Sequence, residues 1–535
     1  MTGARSLILG FDGATWAVAD PLIEAGKMPN LNRLRQKGIW APLNSTTPPM
    51  TLPSWSSMLT GCNPGKHGIF DFVRLDGNRL RFVNSTDRLR PTLHQILSER
   101  GARVVSMAVP TTWPPQPING MVISGFDSPV STGIDGSFCY PASLYKELQK
   151  RFGGLRFADF QESNIGSGWH RDALSKLLKE IDRKTRITEW IMSQERWDCL
   201  MLLFGESDTV SHHFWMFHDP ESPRFHYDKE LHKAIEKVYC RLDEALGRLL
   251  DKANPDWTCI CSDHGFGGAG LHVLYLNSYL EQKGWLKTRE RGRSRLEPLR
   301  LWAAKNVPPS ILERAFRKIP SAVRDRLESR ARYGGISLGA SEAFSDEMNY
   351  AATIRMNNTQ RFAELKKDLL DWQVDGAHPV RAVHLREELY WGEGVIFSPE
   401  VIVELNEREG YSYTLLASSR SRGSSWSVLP PESYMGGKGL GMNGTHRQHG
   451  VLVMHGRGIS AHGEVEANMM DIAPSLFHAM GESIPLDMDG QILPGVQDAK
   501  PPRYTEHKID LQTHHRASAK ESMAIRNRLE KLGYL

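Results

Sequence analysis

Five short apolar runs stand out along the chain, and each adjoins polar residues with chemical capability. Ser6–Phe11 (SLILGF) stops at Asp12, Val104–Val109 leads into PTTWPP, and Asp198–Phe204 (DCLMLLF) runs into ESDTVSHH. Thr258–Cys261 (TCIC) stops at SDHG, and Val451–Met454 follows GTHRQHG. Unbroken apolar runs of this length fit strands covered on both faces. Between them the period changes: from Lys229 to Asp251, Leu231, Ile235, Val238, Leu242, Ala245 and Leu249 recur at three- and four-residue steps, which predicts a helix with one buried stripe. Strands alternating with helices predict an α/β fold, a doubly wound, mostly parallel central sheet covered by helices on both faces. In such a fold, ligands gather at the carboxyl ends of the strands.

Composition narrows this picture. The 535 residues carry a net charge of +4, too small to argue for a nucleic-acid partner. The charge is uneven, however: Leu286–Gly335 holds fourteen Lys/Arg against five Asp/Glu and is broken by Pro308, Pro309 and Pro320. This segment reads as a solvated helical cap inserted in the α/β domain, with recruitment of an anionic substrate or contact with an anionic membrane surface as the alternatives. The expected organisation is a first part of the core over 1–285, the basic insertion over 286–335, a second part of the core over 336–500, and a tail with a surface helix over 501–535. Cys62, Cys139, Cys199, Cys240, Cys259 and Cys261 are scattered without a CxxC pair, so reduced thiols are expected. No run approaches the ~18 apolar residues of a membrane span, and MTGARSLILGFDG lacks the apolar region of a secretory signal. A cytoplasmic protein is expected.

Four clusters bring aspartate, histidine and a hydroxyl to the predicted strand ends. Asp12 lies in GFDG after the first run; taken alone, an aspartate there is more often a helix cap or turn former. Thr51 opens TLPSWSSMLTG after the irregular TTPPM, where a helix N-terminus would present backbone N–H groups and a favourable dipole to phosphate oxygens. Asp208 and His212, four residues apart, share one face of a helix and could hold one metal ion. Asp263 and His264 lie in SDHG, directly after TCIC, and beyond these four clusters His446 in NGTHRQHG is a further candidate. Carboxylate and imidazole donors together suit zinc, although manganese or iron tolerates several of them.

The order and setting of these clusters resemble the alkaline phosphatase superfamily, in particular its type I phosphodiesterase/nucleotide pyrophosphatase branch. GFDG, TLPSWSSMLTGCNPGKHGIFDF, VPTTWPPQPINGMVISGF, ESDTVSHHFW, SDHGFG, GTHRQHGVLVMHGRGI and MMDIAPSLFHAMGESIPLDMDGQIL occur in the family's order across most of the chain. The resemblance implies that Asp208, His212 and His446 bind one zinc ion. It implies that Asp12, Asp263 and His264 bind a second, with Thr51 as nucleophile in contact with the metal. Two divalent ions ~3.5–4 Å apart can clamp the attacking and leaving oxygens of an in-line displacement. The implied activity is a hydrolase cleaving a phosphodiester or pyrophosphate through a phosphothreonine, with a small phosphorylated substrate. A phosphomonoesterase, or an inactive member that only binds a phosphorylated ligand, is the alternative.

Two departures sharpen the comparison. In sulfatases of the same superfamily a CxPxR motif precedes the LTG helix; here the cysteine slot holds Thr51 and the arginine slot holds Trp55, which excludes a formylglycine there. Nucleotide pyrophosphatases commonly carry an asparagine three residues after HGI to donate to a phosphoryl oxygen, whereas His67-Gly68-Ile69 leads to Phe72. Arg447 or a backbone amide near Thr51 is expected to replace it. His67, His213, His272, His449 and His455 are expected to stay outside the site, and Asp471 and Asp489 to serve the packing of the C-terminal helix.

Overall fold

The computed structural model describes all residues except 1–4, 77–78, 129–135, 154–167, 195, 289–335, 348–350, 419–420, 422, 435–441, 460–462, 497–500, 507–520, 523–524 and 527–535. The basic insertion therefore lies almost wholly outside the described residues, as does most of the expected tail.

The elements that build the site are, in chain order, β1 (Ser6–Phe11), β2 (Ile39–Asn44), α1 (Thr51–Thr60), β3 (Val104–Val109), β4 (Gly120–Ser124), α2 (Trp169–Gln194), β5 (Cys199–Phe204), α3 (Glu206–His218), α4 (Ala234–Ala253), β6 (Trp257–Cys261), β7 (Gly265–Leu274), β8 (Gly444–Arg447) and β9 (His449–Gly456). The apolar runs become the centre of one sheet in the order β2-β9-β6-β1-β5-β3-β4, with short strands at both edges. The strands from β6 to β4 are parallel, and β9 runs antiparallel to both β2 and β6. Every residue of β1, β3, β5 and β6 is buried, as expected of strands covered on both faces. Helix α4 begins at Ala234, so Leu231 precedes it; Ile235, Val238, Leu242, Ala245 and Leu249 form the buried stripe.

Register carries the chemistry to one edge. Phe11 pairs with Phe204, and Gly10 with Cys261, so the carboxyl ends of β1, β5 and β6 lie side by side. Because β9 is antiparallel, its first residue, His449, pairs with Asn44 at the end of β2. Five chain segments thus leave or enter the sheet at the same edge, and all seven residues singled out from the sequence follow or precede those strand ends.

Residues from Leu274 to Leu415 gather a second hydrophobic core around Ile354, Leu365, Leu369, Val383 and Val401. The apolar side chains of β9 and of Met469–Val496 belong instead to the main core. The main sheet thus resumes with β9 at His449–Gly456, where the expected division placed the second part of the core from 336. The long strand β7 joins the two units, pairing with β8 through Gly265–Gly268 and with Tyr411–Leu415 further along. All six cysteines are free thiols. Among the described residues no helix is long and apolar enough to cross a membrane.

Two imidazoles are buried beside or near α1, and among the described residues neither is hydrogen-bonded to a carboxylate. His67 Nε2 lies 3.0 Å from Ser57 Oγ. Burial, reinforced by the positive charge of Arg88, pushes the pKa of both His67 and His94 down to about 3. Between pH ~6.5 and these values the unfolded chain takes up a proton that the folded chain refuses, so stability falls as the pH falls, by ~1.4 kcal/mol per histidine per pH unit. His94→Leu is expected to flatten the fall in unfolding free energy between pH 6.5 and pH 5 by about that amount. Urea titrations at a series of pH values check it, and an unchanged slope would refute the assignment.

Candidate active site

Asp12 leaves the end of β1 and is followed by Gly13 at φ 65°. A Cβ on Gly13 would meet the Phe266 ring at 2.7 Å and the Asp208 backbone at 3.1 Å, so only glycine allows this turn beside α3. The Gly13 N–H donates to Asp263 Oδ1 at 3.1 Å, and Ser207 Oγ donates to the Asp12 carbonyl at 2.6 Å. These bonds tie the ends of β1, β5 and β6 together at the point where their carboxylates emerge.

Helix α1 is buried along its whole length and starts at Thr51 with no side-chain cap; it ends at Gly61 in the left-handed conformation. Hydroxyl contacts fix its entry. Ser54 and Ser45 Oγ atoms lie 2.8 Å apart, and Ser45 Oγ donates to the Asp263 carbonyl at 2.5 Å. Gln448 Nε2 holds the preceding loop through the Ser45 carbonyl at 2.8 Å. Thr51 Oγ1 arrives 3.5 Å from His264 Nε2.

The three imidazoles share one orientation. His212 Nδ1 lies 2.9 Å from the Gly444 carbonyl, His446 Nδ1 2.9 Å from the Pro49 carbonyl, and His264 Nδ1 3.1 Å from the Gly265 carbonyl. A carbonyl can only accept, so each Nδ1 carries the hydrogen and each Nε2 of a neutral ring offers a lone pair. Those Nε2 atoms face carboxylates and one another. His212 and His446 Nε2 are 3.2 Å apart and lie 3.2 and 3.5 Å from Asp208 Oδ1. His264 Nε2 is 3.2 Å from Asp263 Oδ2 and 3.8 Å from Asp12 Oδ1.

The donors fall into two triads, each with its ligand atoms within 4.8 Å of one another: Asp208, His212 and His446, and Asp12, Asp208 and His264. Asp208 belongs to both, while Asp263 flanks the second through its contact with His264. Burial first, and then the negative charge of Asp12, hold the Asp263 carboxyl well above its usual range. Burial and the charge of His446 hold His264 well below its own. Three carboxylates and converging imidazole lone pairs in a buried pocket are a donor set that fits divalent cations.

Several features were not read from the sequence. Phe266, two residues after His264, touches the edges or faces of all three imidazoles, with ring centroids 4.6 Å from His212, 5.4 Å from His446 and 5.8 Å from His264. It forms the apolar wall behind them. Lys184 of α2 and Glu206 form a buried ion pair at 2.9 Å that anchors the first turn of α3, two residues before Asp208. Strand spacing pointed to neither.

Arg447 does not serve as the replacement for the missing asparagine. Alternation along β8 turns it away from His446, and its guanidinium is committed to the Gly268 and Gly410 carbonyls at 3.2 and 3.0 Å and to Glu407 at 3.2 Å. The position of the asparagine holds Phe72, buried in the main core against Phe126. His213 turns to the Trp169 ring, and His272 to Asp375.

Residues 6–371 match the family model described as type I phosphodiesterase / nucleotide pyrophosphatase. No curated protein matches the chain significantly. Among similar solved structures is phosphonoacetate hydrolase from Sinorhizobium meliloti 1021 in complex with phosphonoformate, at 15% identity and a TM-score of 0.51 over 88% of this chain and 94% of that one. Another is an inactive form of murine ectonucleotide pyrophosphatase / phosphodiesterase 5 in complex with AMP, at 15% identity and a TM-score of 0.51 over 92% of this chain and 100% of that one. At this identity the likeness is one of fold.

Proposed function

Since the chain belongs to the type I phosphodiesterase / nucleotide pyrophosphatase family, a family of metal-dependent hydrolases, we propose that it cleaves a phosphodiester or pyrophosphate bond with Thr51 as nucleophile. Asp208, His212 and His446 would hold one divalent ion, and Asp12, Asp263 and His264 the other, with the Asp208 carboxylate between them. Zinc or manganese suits these donors. When bound, such ions supply Lewis-acid polarisation of the phosphoryl oxygens and offset the negative charge of the three aspartates.

The observation that carries this reading is the orientation of the imidazoles. Three backbone carbonyls turn three Nε2 lone pairs toward one another and toward carboxylates, an arrangement that costs free energy unless cations lie between them. Thr51 stands at the edge of that cluster on the uncapped N-terminus of α1, where amide N–H groups can receive phosphoryl oxygens in place of the absent asparagine. In the first step the Thr51 hydroxyl gives up its proton to solvent and the Oγ–P bond forms as the ester P–O bond breaks, the leaving oxygen departing with the bonding pair and taking a proton from water. In the second, water cleaves the phosphothreonine and returns the hydroxyl. The AMP and phosphonoformate held by the two similar structures support a small phosphorylated molecule as this chain's substrate.

A panel of aryl phosphodiesters, nucleoside diphosphate derivatives and aryl monoesters, assayed with protein reconstituted in zinc or manganese, tests the proposal. Diesters or pyrophosphates are expected to show the higher kcat/KM. Turnover of monoesters alone would replace this reading with a phosphomonoesterase, and turnover of none would leave a binding protein.

A further inference from the structure

Trp55 stands where sulfatases of this superfamily carry a positive charge, and none of the chemistry above uses it. Its side chain is among the largest that are completely buried. The indole Nε1–H donates to Asp12 Oδ2 at 3.2 Å, while Oδ1 of the same carboxylate faces His264 Nε2. Room for the ring comes from β1: a Cβ on Gly10 would lie 2.6 Å from Trp55 Cη2. The two glycines of GFDG thus have separate tasks, Gly13 admitting Phe266 and Gly10 admitting the indole.

We infer that Trp55 is a positioning residue for metal binding: its N–H fixes the Asp12 carboxylate so that Oδ1 points into the cation site. The inference rests on the proposed role of Asp12 as a ligand. The chemistry favours an indole for this task. A carboxylate on two rotatable bonds spends entropy when a cation fixes it, and a donor that holds one oxygen beforehand reduces that cost. An arginine in the same place would hold the oxygen too, but its charge would oppose the incoming cation through a dry interior, where Coulomb terms are large. The neutral N–H orients Asp12 and leaves its full negative charge for the metal.

The test is a zinc titration of chelator-stripped full-length protein, followed by calorimetry and by metal analysis after dialysis. Trp55→Phe, which keeps an aromatic ring and removes the donor, is expected to weaken one of the two sites about 10–100-fold and leave the other unchanged. Excess zinc should restore most of the turnover, which a collapsed active site would not allow. Should Trp55→Phe fail to fold, benzothienylalanine at position 55 keeps the two-ring shape without the N–H and carries the same expectation. Wild-type affinity at both sites in either variant overturns the inference. Asp12→Ala separates the two levels. If it retains both ions, Asp12 is not a ligand and the underlying reading fails with it; if it loses one while Trp55→Phe binds normally, only the positioning role is wrong.

Discussion

Thr51→Ala is expected to abolish turnover of every accepted substrate while metal uptake stays at two ions per chain. The reasoning separates the two readouts. Thr51 supplies the only covalent chemistry in the proposed mechanism, and loss of a nucleophile that works as part of a unit costs on the order of 10^4–10^6 in kcat. In the proposed site the cations, in contrast, would be held by six other side chains, four of them anchored through Gly13, Gly444, Gly265 and Pro49 backbone groups that the substitution does not touch. Removing the hydroxyl also leaves the helix intact, because Ser54 and Ser45 fix its entry independently. Thr51→Ser should keep measurable activity, since it preserves the oxygen. Acid-quenched wild-type protein should carry the phosphoryl group on the peptide containing residue 51, read by mass spectrometry. Activity above a tenth of wild type in Thr51→Ala would remove the residue from the mechanism.

Much of the site was legible because parallel sheets turn sequence order into spatial convergence. Asp12, Asp208, Asp263 and His264 each follow an unbroken apolar run, and such runs in a parallel sheet end at the same edge. His446 and Thr51 were less predictable, since they depend on β9 running antiparallel to its neighbours β2 and β6, which apolarity does not encode. The motif order across the chain supplied both. What stayed hidden were contacts set by tertiary packing. The role of Phe266 depends on Gly13 having no side chain, the Lys184–Glu206 pair joins helices that periodicity treats separately, and the commitments of Arg447 come from loops around Gly268 and Gly410. The extent of the second core was also obscured, because its short strands between Ala343 and Leu415 mix buried and partly exposed positions and carry no signal that separates them from the main layer, so 336–500 reads as one continuous part of the core.

The sharing of Asp208 between the two triads gives the second large prediction, that this aspartate matters more to metal binding than any histidine. His446→Ala removes one donor from one triad and is expected to leave about one ion per chain after dialysis. Asp208→Ala removes an oxygen near both, together with a negative charge, and should weaken both sites by more than the about 10–100-fold that a lost supporting contact costs. Equal metal content in the two variants would show that the sites do not share the carboxylate. The metal-free protein offers an independent check with the opposite sign. Asp263 is held well above its usual range by burial, then by Asp12, with Asp208 contributing further. A folded-state pKa above the unfolded value means that the folded chain binds the extra proton, so this group's contribution to the stability of the metal-free protein declines as the pH rises through that raised pKa. Asp208→Asn removes one of the charges responsible, and should make the metal-free protein less sensitive to rising pH even as it costs the holoprotein its cations. Melting curves of both forms at a series of pH values rising from the ordinary carboxylate range, with and without zinc, distinguish this from simple damage to the fold, which would lower the melting temperature of both.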